Sequence, residues 1–305
     1  MLIWFICVAV MVLGPLLAGA PPSAADMSKV AAKGIIFIYD SSSRPCDPPS
    51  PGHALLPLGS GFVVGLEQER DDTGPGWRGW KFLVTAHHVI GNRTSVILRL
   101  NSKDGARLIC HTHPLSWDGP NQNVFQSKRP EVDLVLVNMP DIPDTDPTIF
   151  DYSLIMDDNM YRSLEVEEGT EVYTIGYLYG YSGYKQNYPV TKFGKVALIT
   201  EEPWYKSPPP RNFNEQAYLI ELQNTPGLSG APVILKSPQF RVDTTGQFQF
   251  RKLDPSIIGV IKGLLLSPAG SQGVAAIEPG KHLREVLKNI ADGLQRSGHK
   301  VKLRN

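Results

Sequence analysis

The sequence predicts an all-β protein made of two groups of strands and closed by one helix. Three observations carry that expectation. Short apolar runs recur with Gly, Pro, Asn and Asp between them, an Asp- and Pro-rich stretch divides the runs, and helical periodicity appears only near the end. With 28 Gly and 26 Pro in 305 residues, 42% hydrophobic and 20% charged, the chain is globular and rich in turns, which excludes a disordered segment or a coiled coil.

The first group of runs is Gly34 to Tyr39, Gly61 to Val64, Lys81 to Val84, Ser95 to Leu100 and Leu134 to Val137. Pro140 to Pro147 reads as the connector. The second group is Glu171 to Ile175, Lys195 to Ile199, Tyr218 to Leu222, Ala231 to Leu235, Ile257 to Ile261 and Gly273 to Ile277. Strands this short and frequent imply a sandwich or barrel. Leu283, Val286, Leu287, Ile290 and Leu294 then recur at helical spacing, so a final amphipathic helix is expected to pack on the strands.

Ahead of the strands, Leu2 to Leu17 is an uncharged apolar run. Its length suits the hydrophobic region of a signal peptide, and Ser23-Ala24-Ala25 offers small residues for cleavage before Asp26. Residues 1–25 are therefore expected to be a leader and the body to be secreted or extracytoplasmic. The alternative is an anchor over residues 2–20. No Lys or Arg precedes the run while Lys29 and Lys33 follow it, an asymmetry that would leave the body of an anchored protein on the cytoplasmic side.

Thirty basic residues balance thirty acidic ones, so the body is expected to bind neither nucleic acid nor a membrane surface. The tail, 296–305, carries Arg296, Lys300, Lys302 and Arg304 without an acid, and reads as a solvated end. Cys46 and Cys110 are too few for a disulfide framework, and a pair and two free thiols remain equally open. Cys110, His111 and His113 would alternate across a strand, with the cysteine opposite the histidines, so no metal site is expected. Asn92-Arg93-Thr94 is a glycosylation sequon, relevant only in a eukaryotic secretory pathway. Tyr177, Tyr179, Tyr181, Tyr184 and Tyr188 cluster in one segment, where local packing is the expectation and binding of a peptide or partner the alternative.

Three segments carry chemistry. Leu83-Val84-Thr85-Ala86-His87-His88 runs an apolar strand into histidine, where an imidazole can be held rigidly at a cleft. Val132-Asp133-Leu134-Val135 puts a carboxylate at the mouth of an apolar strand. Pro226-Gly227-Leu228-Ser229-Gly230 puts a serine in a glycine-bracketed turn. Each alone carries little weight, but their order does more. His, Asp, then Ser, in a chain of two strand groups without intervening helices, is the chymotrypsin-type order and not that of α/β-hydrolases or subtilisins.

On these segments the chain resembles the trypsin-like serine peptidases, most closely the protease domain of the HtrA/Deg branch without its PDZ segment. Thr85-Ala86-His87-His88 is similar to the T-A-x-H segment, Asp133-Leu134-Val135-Leu136 to D-L-A-L, and Pro226 to Pro232 to P-G-N-S-G-G-P. The resemblance implies two packed six-stranded antiparallel β-barrels, 26–147 and 148–295, with the site in their seam. It implies a catalytic triad of His88, Asp133 and Ser229, an oxyanion hole from the N–H groups of Gly227 and Ser229, no cofactor, and a polypeptide substrate. The resemblance implies Gln223 at the base of the primary pocket, where the lack of an acid gives no preference for Arg or Lys, and a strand-end residue facing elsewhere is equally open. The sequence departs from the family at Leu228, where an acid would pair with a new N-terminus after zymogen cleavage, so that activation is not expected. Lys262 stands where many relatives carry a small polar residue near the triad carboxylate. A silent homologue that binds peptides in the same cleft is the alternative, as is a processing protease of narrow range.

Overall fold

The computed structural model describes residues 29–47, 56–69, 78–200, 218–223, 225–236, 239–242, 248–251, 255–267 and 270–303. Residues 1–25, expected to be a leader, and Arg304 lie outside them. Among the described residues no helix is long and apolar enough to cross a membrane.

The first half contains β1 (Ile35–Asp40), β2 (Gly59–Gln68), β3 (Gly79–Thr85), the single-turn helix α1 (His87–Ile90), β4 (Ser95–Asn101), β5 (Leu108–Pro114), β6 (Val124–Gln126), β7 (Val135–Met139) and β8 (Ile149–Asp151). The helix α2 (Asp158–Ser163) leads to the second half, β9 (Glu171–Gly176), β10 (Val190–Leu198), β11 (Tyr218–Glu221), β12 (Pro232–Leu235), the hairpin β13 (Gln239–Val242) and β14 (Phe248–Arg251), β15 (Ile257–Ser267) and β16 (Gly270–Pro279). The chain ends in α3 (Gly280–Arg296) and the short strand β17 (Val301–Lys302).

The double-barrel architecture expected from the sequence is present. The second half is a closed six-stranded barrel, β10-β11-β16-β15-β12-β9. The first is a curled sheet ordered β5-β4-β1-β2-β3-β7-β6, and its end strands β5 and β6 do not pair among the described residues. After residue 147, β8 pairs in parallel with β2 of the first sheet before the chain crosses over. The tail is also not simply solvated: Val301 is buried and pairs with Gln68 of β2, and the Trp80 and His299 rings meet edge-on at 5.3 Å.

The strands read as continuous apolar runs because both of their faces are covered. Along β1, Ile36 and Ile38 enter the interior of the first sheet, while Ile35, Phe37 and Tyr39 enter a shared core between the halves. Strand β7 divides in the same way, Val135 and Val137 inward and Leu136 toward the seam. From the other side Tyr173, Ile175 and Ile234 fill the seam, while Val172, Val233 and Leu235 fill the closed barrel. The expected helix closes the seam with Leu283, Val286, Leu287 and Ile290 buried. Side chains from both halves therefore fix how they sit against each other.

Cys46 and Cys110 form a disulfide across 64 residues, the arrangement that cysteine count alone left open. In the chain-entropy account a closed loop of that length contributes about 4 kcal/mol. It also removes Cys110 as a thiolate ligand beside His111 and His113.

Candidate active site

The site starts where β3 ends. Phe82, Leu83, Val84 and Thr85 are buried, Ala86 keeps an extended backbone (φ −72°, ψ 141°), and the chain then makes a single turn of helix. Val89 and Ile90 on that turn are buried in the interior of the first sheet, which fixes the two histidines before them. His87 lies half-buried with its ring 5.6 Å from Trp117, and His88 is exposed.

Asp133 grips His88 at two points. Its Oδ1 accepts the His88 backbone N–H at 2.9 Å, and its Oδ2 stands 2.7 Å from His88 Nδ1. The His87 N–H also donates to the Asp133 carbonyl at 3.4 Å. Burial pushes the Asp133 carboxyl up, but the His88 side-chain hydrogen bond and charge, its backbone N–H and the Lys262 charge outweigh it and hold the group below its usual range. The stability tied to this lowering is present above the ordinary carboxylate range and is lost as pH falls through the lowered value. An ionised carboxylate only accepts, so in the neutral imidazole the proton belongs on Nδ1 and Nε2 keeps its lone pair.

Ser229 is positioned through its backbone. Gly227 (φ +98°) and Gly230 (φ +84°) bracket it in conformations that L side chains rarely adopt, and Leu228 between them is fully buried. The Gly230 N–H donates to Ile261 O at 2.8 Å and the Ile261 N–H to Ala231 O at 2.9 Å, which ties the turn to β15. The turn is tied to the first half through Ser60, a residue just before the Gly61 to Val64 run that the sequence reading did not single out. Ser60 N–H donates to Ser229 O at 2.8 Å and Ser60 Oγ to Gly227 O at 2.8 Å, while the hydroxyl accepts the Tyr177 N–H at 2.9 Å. Thr85 Oγ1, two residues before His87, donates to Ser60 O at 2.7 Å. One buried serine thus links the turn that carries Ser229 to the strand end that carries His88. A glycine-bracketed serine at the head of an apolar run, Gly59-Ser60-Gly61, was the available signal.

The contact is tight enough to be tested. A Cβ on Gly230 would lie 2.1 Å from both Ser60 O and Thr85 Oγ1 and 3.1 Å from Ala86 N. Gly230→Ala adds this clash to a left-handed backbone, so thermal or urea unfolding should show a loss of roughly 3–5 kcal/mol.

Ser229 Oγ makes no hydrogen bond to His88 among the described residues, so the structure joins His88 to Asp133 and brings the serine turn against them without closing the last link. Such bonds are often long before substrate is bound. The N–H groups of Gly227 and Ser229 likewise donate to no protein acceptor among the described residues, while the Leu228 N–H between them turns inward to Thr225 O at 3.4 Å. Gln223 is exposed, and its carbonyl accepts Lys192 Nζ at 2.7 Å.

The expectation of packed tyrosines holds for one of five. Tyr177 is buried, but Tyr179, Tyr181, Tyr184 and Tyr188 are more than half exposed. The cause lies elsewhere in the chain: buried Arg99 on β4 donates to Ser182 O and Gly183 O at 2.6 Å each, anchoring the segment by its backbone and leaving these rings outside.

No family model matches the sequence, and no curated protein is similar to it. Solved structures are similar in fold. A variant of the HtrA-type protease AlgW with a decapeptide superposes with a TM-score of 0.50 at 19% identity, over 89% of this chain and 67% of that one. The MamO protease domain from Magnetospirillum magneticum gives 0.48 at 11% identity, over 85% and 97%. The fold is thus the trypsin-like double barrel of HtrA-type proteases.

Proposed function

We propose that this protein is a serine endopeptidase that cleaves peptide bonds through an acyl-enzyme on Ser229. One observation carries the reading: His88 is clamped by both oxygens of Asp133, which leaves Nε2 as the free base. In the proposed mechanism Nε2 takes the Ser229 proton as Oγ attacks the scissile carbonyl, then returns it to the leaving amine. Asp133 holds the tautomer and stabilises the imidazolium. The Gly227 and Ser229 N–H groups receive the oxyanion, each donor contributing roughly a hundred- to a thousandfold in rate. Water then hydrolyses the ester by the same route.

The substrate is a polypeptide, a reading supported by the fold shared with a protease solved with a decapeptide. The Cys46–Cys110 disulfide supports an oxidising, extracytoplasmic location for the body. Purified protein incubated with a mixed peptide library should release new N-termini with a restricted set of preceding residues. An uncut library, with peptides nonetheless retained by the protein, would favour the silent peptide-binding homologue.

A further inference from the structure

Next to Asp133 lies a group of charged side chains that the proposed reaction does not use. Glu278, at the end of β16, is 1% exposed. Its Oε2 accepts the Asp133 backbone N–H at 3.1 Å and stands 3.6 Å from Lys262 Nζ, while its Oε1 is bonded to His282 Nδ1 at the start of α3. Lys262 on β15 is itself largely buried and donates to Glu131 O at 3.1 Å, two residues before Asp133. His282 is 2% exposed. One carboxylate therefore links both ends of the β16–α3 junction to the loop that presents the triad acid.

The charges give this arrangement a purpose beyond packing. Lys262 lies close enough to Asp133 for its charge to favour the ionised carboxylate. A buried ammonium attracts whichever carboxylate it faces, and attraction is strong where water is sparse. Asp133 already has both oxygens engaged by His88. Any turn of the carboxylate toward Lys262 would weaken one of those bonds and free the imidazole to change tautomer. Glu278 stands against the same ammonium and at the same time fixes the Asp133 main chain.

We propose that Glu278 is a positioning residue for the triad: it balances the buried Lys262 charge and anchors the Asp133 backbone, so that the Asp133 carboxylate stays committed to His88. This rests on the serine-protease reading for its consequence in rate, but not for its consequence in geometry. Lys262 and Glu278 then form a matched pair that must be kept or removed together. The unusual lysine beside the triad is tolerated because its counter-ion is built into β16.

The test compares wild type, Glu278→Gln, Lys262→Met and the double variant by two readouts. The first is the far-downfield proton resonance of His88 Nδ1–H in its bond to Asp133, assigned by its loss in His88→Ala. The second is the rate of reaction with a fluorophosphonate. Glu278→Gln keeps an acceptor for the Asp133 N–H but loses the charge. It should lose or shift the resonance and react about 10- to 100-fold more slowly, in the range of a misoriented catalytic group. The double variant should recover both readouts to within a few-fold. If Glu278→Gln fails to fold, recovery of fold and resonance in the double variant is the same result. A purely structural role for Glu278 would not be repaired by removing Lys262. The proposal is overturned if Glu278→Gln keeps the wild-type resonance and rate, or if the double variant is as impaired as the single one. A wild type that shows the resonance but does not react would sink the protease reading alone, leaving the resonance to decide the role of Glu278.

Discussion

Ser229→Ala should reduce peptide hydrolysis by about a millionfold while leaving the fold intact, the scale expected when the nucleophile is removed from a triad that acts as a unit. The serine side chain makes no hydrogen bond among the described residues, and the turn is held by main-chain links from Ser60, Gly230 and Ile261. Removing one hydroxyl therefore touches none of the contacts that hold the site. Melting temperature and peptide binding should stay at wild-type values while turnover disappears. Comparable hydrolysis in the variant would place the chemistry on another residue.

Asp133→Asn should lower turnover by about ten-thousandfold, with little change in the affinity for peptide. The reason lies in the two bonds that the carboxylate makes. Its Oδ1 faces a backbone N–H, which can only donate, and its Oδ2 faces His88 Nδ1. An asparagine must turn its oxygen toward the backbone N–H, and that points its NH₂ at Nδ1. The imidazole then accepts at Nδ1 and carries its proton on Nε2, so the base is lost although the ring has not moved. The loss should appear in kcat rather than KM. The downfield Nδ1–H resonance should vanish with it, since the proton has left that nitrogen. A variant that retained more than a few per cent of the rate would show that the imidazole is oriented by something other than Asp133.

Much of this was legible before any coordinates. The His88, Asp133 and Ser229 segments announce themselves because each couples a reactive side chain to a strongly apolar strand or a pair of glycines, and the terminal helix is written in the spacing of Leu283, Val286, Leu287 and Ile290. The rest was hidden for physical reasons. Ser60 does its work through hydrogen bonds to residues more than a hundred positions away, and its two flanking glycines are the one local mark it carries. Lys262 was visible as an anomaly, but its partner Glu278 is brought to it by the pairing of β15 with β16. The Cys46–Cys110 bond depends on a path through space that cysteine count does not encode. Charge alone marks the tail as solvated, yet a single apolar residue, Val301, lets it pair with the end of β2. The tyrosines were misjudged because Arg99, far upstream, holds their segment by its carbonyls.

The most direct measurement is covalent labelling of the folded protein by a fluorophosphonate, with the modified peptide identified by mass spectrometry. The account predicts one adduct, on Ser229, absent from Ser229→Ala and from His88→Ala. A well-folded protein that takes up no label, or takes it up on a residue other than Ser229, would contradict it.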